Sequence, residues 1–284
     1  MFGNRNQKKN KKKKEKVDII INGVVIFFAL LNLFPLYWLF TSSLKNSSDV
    51  VKMPPDWFPK TISFQNYIDV FNNQPAFRWA FNSITVSLVS TIALVVVSCL
   101  AAYAFSKLKF KGQNIIFIIC ISSLMIPKEV MIVPLFRIIQ DFGMVNTLSG
   151  MIWPNVATAF GVFMLKGFFD SIPDSLRESA KMDGASEFTV FYKIMLPMVK
   201  PGIGALFILN FVNVWNDYLW QLVVGQSENS KTLMVGVATL MQDLNPNFAY
   251  KMAGATVAAI PMLLIFMIFQ RYFTKGISIG AVKE

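Results

Sequence analysis

Six stretches of this chain are apolar over about the ~20 residues that an α-helix needs to cross the hydrocarbon of a bilayer. They are Ile19–Phe40, Phe81–Phe105, Ile115–Ile139, Leu148–Leu165, Gly202–Val224 and Met252–Phe269. The polar segments between them are unequal. Thr41–Arg78 and Lys166–Pro201 are long, and "GQSENSKTLMVGVATLMQDLNPNFAYK" precedes the last span. The turns near "KLKFK" and "DFGMVN" are short. The first apolar run exceeds a signal-peptide core and lacks a small-residue cleavage site, so it reads as a true span. The pattern predicts an all-α, polytopic membrane protein with six transmembrane helices. A spanning domain at 19–275 lies between a basic tail at 1–18 and a short tail at 276–284.

Composition agrees with that class. The chain is 54% hydrophobic and 15% charged, where soluble domains carry about 25% charged residues. The net charge of +11 could suggest nucleic acid, but much of it sits in "RNQKKNKKKKEK" beside the first span. There it reads as a flank facing anionic lipid. With the N-terminus inside, the inner segments hold nineteen Lys and Arg and the outer ones six. The asymmetry places both termini in the cytoplasm, with Lys166–Pro201 as the one long inner loop. Histidine is absent, and Cys99 and Cys120 lie in apolar runs. The sequence therefore suggests no metal site, no cofactor and no disulfide framework.

The long inner loop carries the most informative polar stretch. In "DSIPDSLRESAKMDGAS", Ser171 and Asp174 fit a capping box and Pro173 suits a first turn. Good helix formers follow, and Gly184 offers a stop. Ala180 and Gly184 share a face without side-chain bulk, with Glu178 and Lys181 beside it. A second helix, "EFTVFYKIML", presents Phe188, Phe191, Ile194 and Met195 to the bundle. Pro197 and Pro201 then interrupt the chain. Periodicity alone leaves two readings open, an interfacial helix without a partner and a helix that docks on another protein.

The ordered residues resemble the "EAA" signature of permease subunits from ATP-binding-cassette importers. Glu178, Ala180, Gly184, Ile194, Leu196 and Pro197 fall in its register, and Ser179 stands where the signature has alanine. Asp183-Gly184-Ala185 looks like the carbohydrate branch. "FNSITVSLVSTIALVVVSCLAAYAFSKLKFKG", "LMIPKEVMIVPLF", "NFVNVWNDYLWQLVV" and "FQRYFTKGISIGAVKE" extend the likeness over nearly the whole chain. The resemblance implies a multi-pass permease of the bacterial cell membrane that imports a sugar or oligosaccharide. It implies as partners a second homologous permease, a cytoplasmic ATPase dimer and an extracytoplasmic solute-binding protein. The chain itself would be no enzyme. The loop would be the coupling segment, with Glu178, Ser179, Ala180, Asp183, Gly184, Ala185, Ile194, Leu196 and Pro197 at or near the ATPase.

The fifth span holds polar groups that lipid would penalise. At 100° per residue, Asn210, Asn213, Asp217, Trp220 and Gln221 share about a third of a helix circumference. Amides and a carboxylate suit sugar hydroxyls, and an indole suits a sugar's C–H face. A buried helix–helix hydrogen-bond seam would use the same residues. In the third span Pro127 and Pro134 are expected to bend the helix. Lys128 and Glu129 there could pair, line water or snorkel. "GQSENSKT" is one glycine short of a phosphate loop, because Ser230 occupies that glycine's place. The alternative to an ATP-driven permease is an ion-coupled secondary transporter using Asp217 or Lys128-Glu129.

Overall fold

The computed structural model describes the backbone of residues 3–242 and 247–281, and the side chains of 17–242 and 247–268. All regular structure among them is helical. In chain order the α-helices are α1 Gly3–Ser43, α2 Ser47–Val50, α3 Gln65–Asn73, α4 Ala76–Lys107 and α5 Gln113–Ser122. Next come α6 Ile132–Asp141, α7 Leu148–Ile152, α8 Ala159–Asp170, α9 Asp174–Met182 and α10 Glu187–Thr189. The last five are α11 Leu196–Met198, α12 Lys200–Trp215, α13 Leu219–Val224, α14 Leu233–Gln242 and α15 Phe248–Ala281.

Three helical stretches are long and apolar enough to cross a membrane unbroken: Val17–Ser43, Ala76–Lys107 and Phe248–Ile268. Three more candidates are bent pairs, so the total reaches six if each pair counts as one span. The bends are 93° between Gln113–Met125 and Lys128–Asp141, 45° between Leu148–Asn155 and Ala159–Asp170, and 74° between Glu187–Met198 and Lys200–Trp215. Two of the breaks have a local cause. Pro127 cannot donate into the helix before it, and a 3₁₀ turn at Lys128–Met131 follows. Pro134 bends nothing, because it falls in the first turn of α6, where a missing N–H costs nothing. Pro154 lies in a 3₁₀ turn, after which Thr158 caps α8 by accepting from Gly161 N at 3.4 Å. The expected tails are partly helical: α1 begins at Gly3 and α15 reaches Ala281, while residues 1–2 and 282–284 lie outside the described residues.

The chain forms two compact units, Met1–Asn72 with Leu244–Thr256 and Asn73–Asp243 with Val257–Glu284. In the first, the apolar residues of α1 from Ile19 to Phe34 are exposed, as suits a helix whose solvent is lipid. Beyond α1 the polypeptide is tied by polar groups. The buried Lys45 donates to Asp56 O at 2.5 Å and lies 4.5 Å from the Trp38 ring centroid. Asn66 donates to Ser43 O and Lys45 O, both at 2.9 Å.

The second unit is built around α4, which packs against α7, α8, α12 and α14. Its buried polar residues Ser83, Ser87, Ser90, Thr91 and Ser98 recur at helical spacing. Small hydroxylic side chains let neighbouring backbones come close where lipid offers no hydrophobic drive. Gly161 of α8 shows how close, because a Cβ there would lie 3.3 Å from Leu94 Cδ2 and collide with the Ser98 hydroxyl. A core of Tyr103, Phe169, Ala180, Val190, Phe191, Met195 and Leu206 joins α4, α8 and α12 to the loop between the last two.

Candidate functional site

The loop 171–199 begins differently from the expected capping box. Ser171 Oγ donates to Phe168 O at 2.7 Å, Pro173 is the N-cap, and no side chain caps α9. Ile172 is buried, and seating it turns Ser171 away from the helix start. Asp174 instead meets Lys107 Nζ at 2.7 Å. That contact draws its carboxyl below the usual range, chiefly through the hydrogen bond and then through the lysine charge.

The other end of α9 matches its sequence signal. Gly184 has φ +81°, donates to Lys181 O at 3.0 Å, and is followed by Ala185 N donating to Ala180 O at 3.0 Å. This is a Schellman termination with glycine in the left-handed position that L side chains avoid. Ala180 and Ala185, the apolar pair of that motif, both pack on the core.

The nine residues expected at an ATPase contact therefore divide. Glu178, Ser179, Asp183, Gly184 and Pro197 are exposed, and no atom lies within 4 Å of a Cβ placed on Gly184. Ala180 is buried, and Ala185, Ile194 and Leu196 are half-buried against the same core. The smooth face expected of Ala180 with Gly184 does not form, since the alanine turns inward while the glycine turns outward. Lys181 is engaged too: it pairs with Glu187, as does Arg177, whose Nε lies 2.8 Å from Glu187 Oε1. Tyr103 Oη donates to that same oxygen. The hydrogen bond to Glu187 stabilises the charged form of Arg177 and pushes its pKa upward.

The second helix of the loop also differs from expectation. Val190–Met195 is a π-turn, in which each residue bonds five positions on instead of four. The wider turn rotates the apolar face. Val190, Phe191, Met195 and Val199 are buried, and Phe188 is 71% exposed.

The polar stripe of the fifth span splits for a related reason. α12 stops at Trp215 and α13 starts at Leu219, so the 100° step fails between Asn213 and Trp220. Asn210 is buried, and its Nδ2 donates to Thr91 Oγ1 at 3.0 Å. It also lines, with Asn213, Thr158, Phe160, Leu206 and Leu209, a cavity of about 250 Å³. Asp217 Oδ2 lies 2.6 Å from Lys128 Nζ, and its Oδ1 accepts from Trp220 N at 3.2 Å. Trp220 belongs to a core with Val86, Met151 and Val214. Gln221 is buried and donates to Val214 O at 2.7 Å. The structure thus brings Asn210 and Asn213 to one cavity and leaves Trp220 and Gln221 in the packing.

Lys128 does not pair with its neighbour Glu129. Its partners are Asp217 and, at 3.4 Å, Asn155 Oδ1, so this cation joins the breaks in the third and fourth candidate spans to the gap between α12 and α13. Sequence reasoning missed that junction and also Lys107. The available signal was the coincidence of a charge with a proline break, which appears at Lys128 and not at Lys107. The segment resembling a phosphate loop is a structural clasp. Asn82 Nδ2 donates to Asn229 O at 2.9 Å and Lys231 O at 2.8 Å, and Leu233 N donates to Ser83 Oγ at 2.8 Å.

Comparison with known proteins places this architecture. Residues 94–279 match the family described as binding-protein-dependent transport system inner membrane component. The arabinooligosaccharides transport system permease protein AraQ of Bacillus subtilis is 36% identical over 92% of this chain and 95% of its own length. The chain belongs to this permease family. The lactose transport system permease protein LacG of Rhizobium radiobacter is 31% identical over 94% of this chain and 96% of its own. A crystal structure of a bacterial ABC transporter that imports the acidic polysaccharide alginate superposes with a TM-score of 0.80. It covers 92% of this chain and 98% of that one at 24% identity, which makes the fold the same. As a permease of this family the chain is a translocation subunit and not an enzyme, with ATP hydrolysis on a separate chain. The ion-coupled alternative is not favoured.

Proposed function

We propose that this permease works with a second, homologous subunit to carry a sugar or oligosaccharide into a bacterial cell. A cytoplasmic ATPase dimer drives the pair, and an extracytoplasmic solute-binding protein loads it. The carbohydrate assignment draws on relatives named for arabinooligosaccharides, lactose and diacetylchitobiose. The lysine and arginine asymmetry supports cytoplasmic termini, which puts the loop 171–199 on the side of the ATPase.

The observation that carries the reading is the bare corner at Gly184. Glu178, Ser179, Met182 and Asp183 surround it and are exposed, with Met182 at 89%. The inward residues Ala180, Ala185, Ile194 and Leu196 hold that corner to the bundle. ATPase closure would push it and rearrange the spans, and Asn210 and Asn213 would meet the solute at their cavity. In proteoliposome-ready membranes expressing all subunits, Gly184→Trp should cut co-purification of the ATPase more than about tenfold, a loss of ~1.4 kcal/mol or more. Gly184→Asn, which tolerates the left-handed conformation, should keep most of it. Undiminished co-purification of the tryptophan variant would refute the docking assignment.

A further inference from the structure

The polar attachments of the loop converge on the last turns of α4. Lys107 has a side chain only 3% exposed. Its Nζ donates to Ile172 O at 2.6 Å and to Asp174 Oδ1 at 2.7 Å, at the entrance to α9. One turn earlier, the Tyr103 hydroxyl donates to Glu187, the carboxylate that Arg177 and Lys181 of α9 also hold. Ser106 Oγ adds a bond of 2.6 Å to Asp170 Oδ1, at the end of α8.

One helix terminus therefore grips α9 at its start directly and along its second half through Glu187. Apolar contacts let a helix slide or roll at little cost, whereas charge-assisted hydrogen bonds fix both position and rotation. The Lys107 ammonium is also shielded from water, so leaving its partners would strand a buried charge. The route from α9 to α12 is softer by comparison: it crosses the glycine corner, a π-turn and a 74° bend.

We propose that Lys107 and Tyr103 are positioning residues that carry the displacement of α9 into α4, so that α4 and the loop move as one body. The idea rests on the docking of this loop on an ATPase, and its test keeps the two apart.

Hydrogen exchange would be followed in the assembled importer, without nucleotide and with MgATP plus vanadate. In the wild type, the ATPase should slow exchange of the α9 amides relative to the permease alone. The amides of Ala101–Lys107 should differ between nucleotide states by at least about threefold. In Lys107→Met and in Tyr103→Phe, α9 should stay protected by the ATPase while the nucleotide response of α4 disappears. Lys107→Arg should restore it. Tyr103→Phe keeps the ring packed on Phe169 and Phe191 at centroid distances of 5.7 and 5.0 Å, so it decides the matter even if Lys107→Met fails to assemble. An α4 response unchanged in Tyr103→Phe overturns the proposal. Wild-type α9 amides that the ATPase leaves unprotected overturn the docking itself.

Discussion

Lys107 and Asp174 show how a single contact sets a pH dependence. Lys107 holds the Asp174 carboxyl below its ordinary value of 3.8, so the folded state favours the charged form. A carboxyl whose folded pKa lies below its unfolded one adds stability that is complete above the unfolded value and fades as pH falls through the folded one. Thermal unfolding of the wild type and of Asp174→Asn should therefore differ by a constant margin from about pH 8 to about pH 5, and the margin should shrink as pH falls below the ordinary carboxyl value of 3.8. Screening keeps it to a few degrees, because the Asp174 side chain is 71% exposed. A margin that persists at the acid end would mean the contact acts through packing. None of this was legible from residue type. Lys107 looks like one more topological charge in "KLKFK", and its partner lies sixty-seven positions away. Gly184 was legible, because a glycine closing a run of good helix formers has one strong structural meaning.

At the scale of elements, what could be read depended on whether the cause was local. Pro127 announced the 93° bend, since a proline acts on its own turn. The π-turn at Val190–Met195 has no such marker, and it moved Phe188 outward and Val190 inward. The gap between α12 and α13 likewise undid a stripe computed for a continuous helix. The buried hydroxyls of α4 at Ser83, Ser87, Ser90, Thr91 and Ser98 take a neighbour to explain them, and that neighbour is α8 at Gly161. Gly161→Ala should destabilise the protein by about 1–3 kcal/mol through forced separation of the two helices. Replacing Ser98 by glycine in the same chain should recover a good part of the loss in a detergent melting assay. Equal melting of the single variant and the wild type would show that the contact yields without cost.

The whole molecule was the most legible scale, because spans, loops and charge bias are properties of long segments that local surprises do not erase. Three unbroken helices and three bent pairs overlap all six apolar runs, though the last pair begins earlier, at Glu187, and leaves α13 outside it. What the helices leave open is direction, since a bundle packs equally well either way up. Direction comes from charge: nineteen Lys and Arg in the segments expected inside against six outside. The exclusion persists when the first eight are set aside. The consequence is measurable in intact cells. With Cys99 and Cys120 replaced by alanine, a single cysteine at Lys52 should react with a membrane-impermeant maleimide. Cysteines at Lys109 and Met182 should react only after the membrane is opened. All three native positions are exposed, so silence at one of them reports shielding by the membrane or an assembled partner. Reaction at Met182 in sealed cells would turn the protein over, and the bare glycine corner would then face a side where no nucleotide is found.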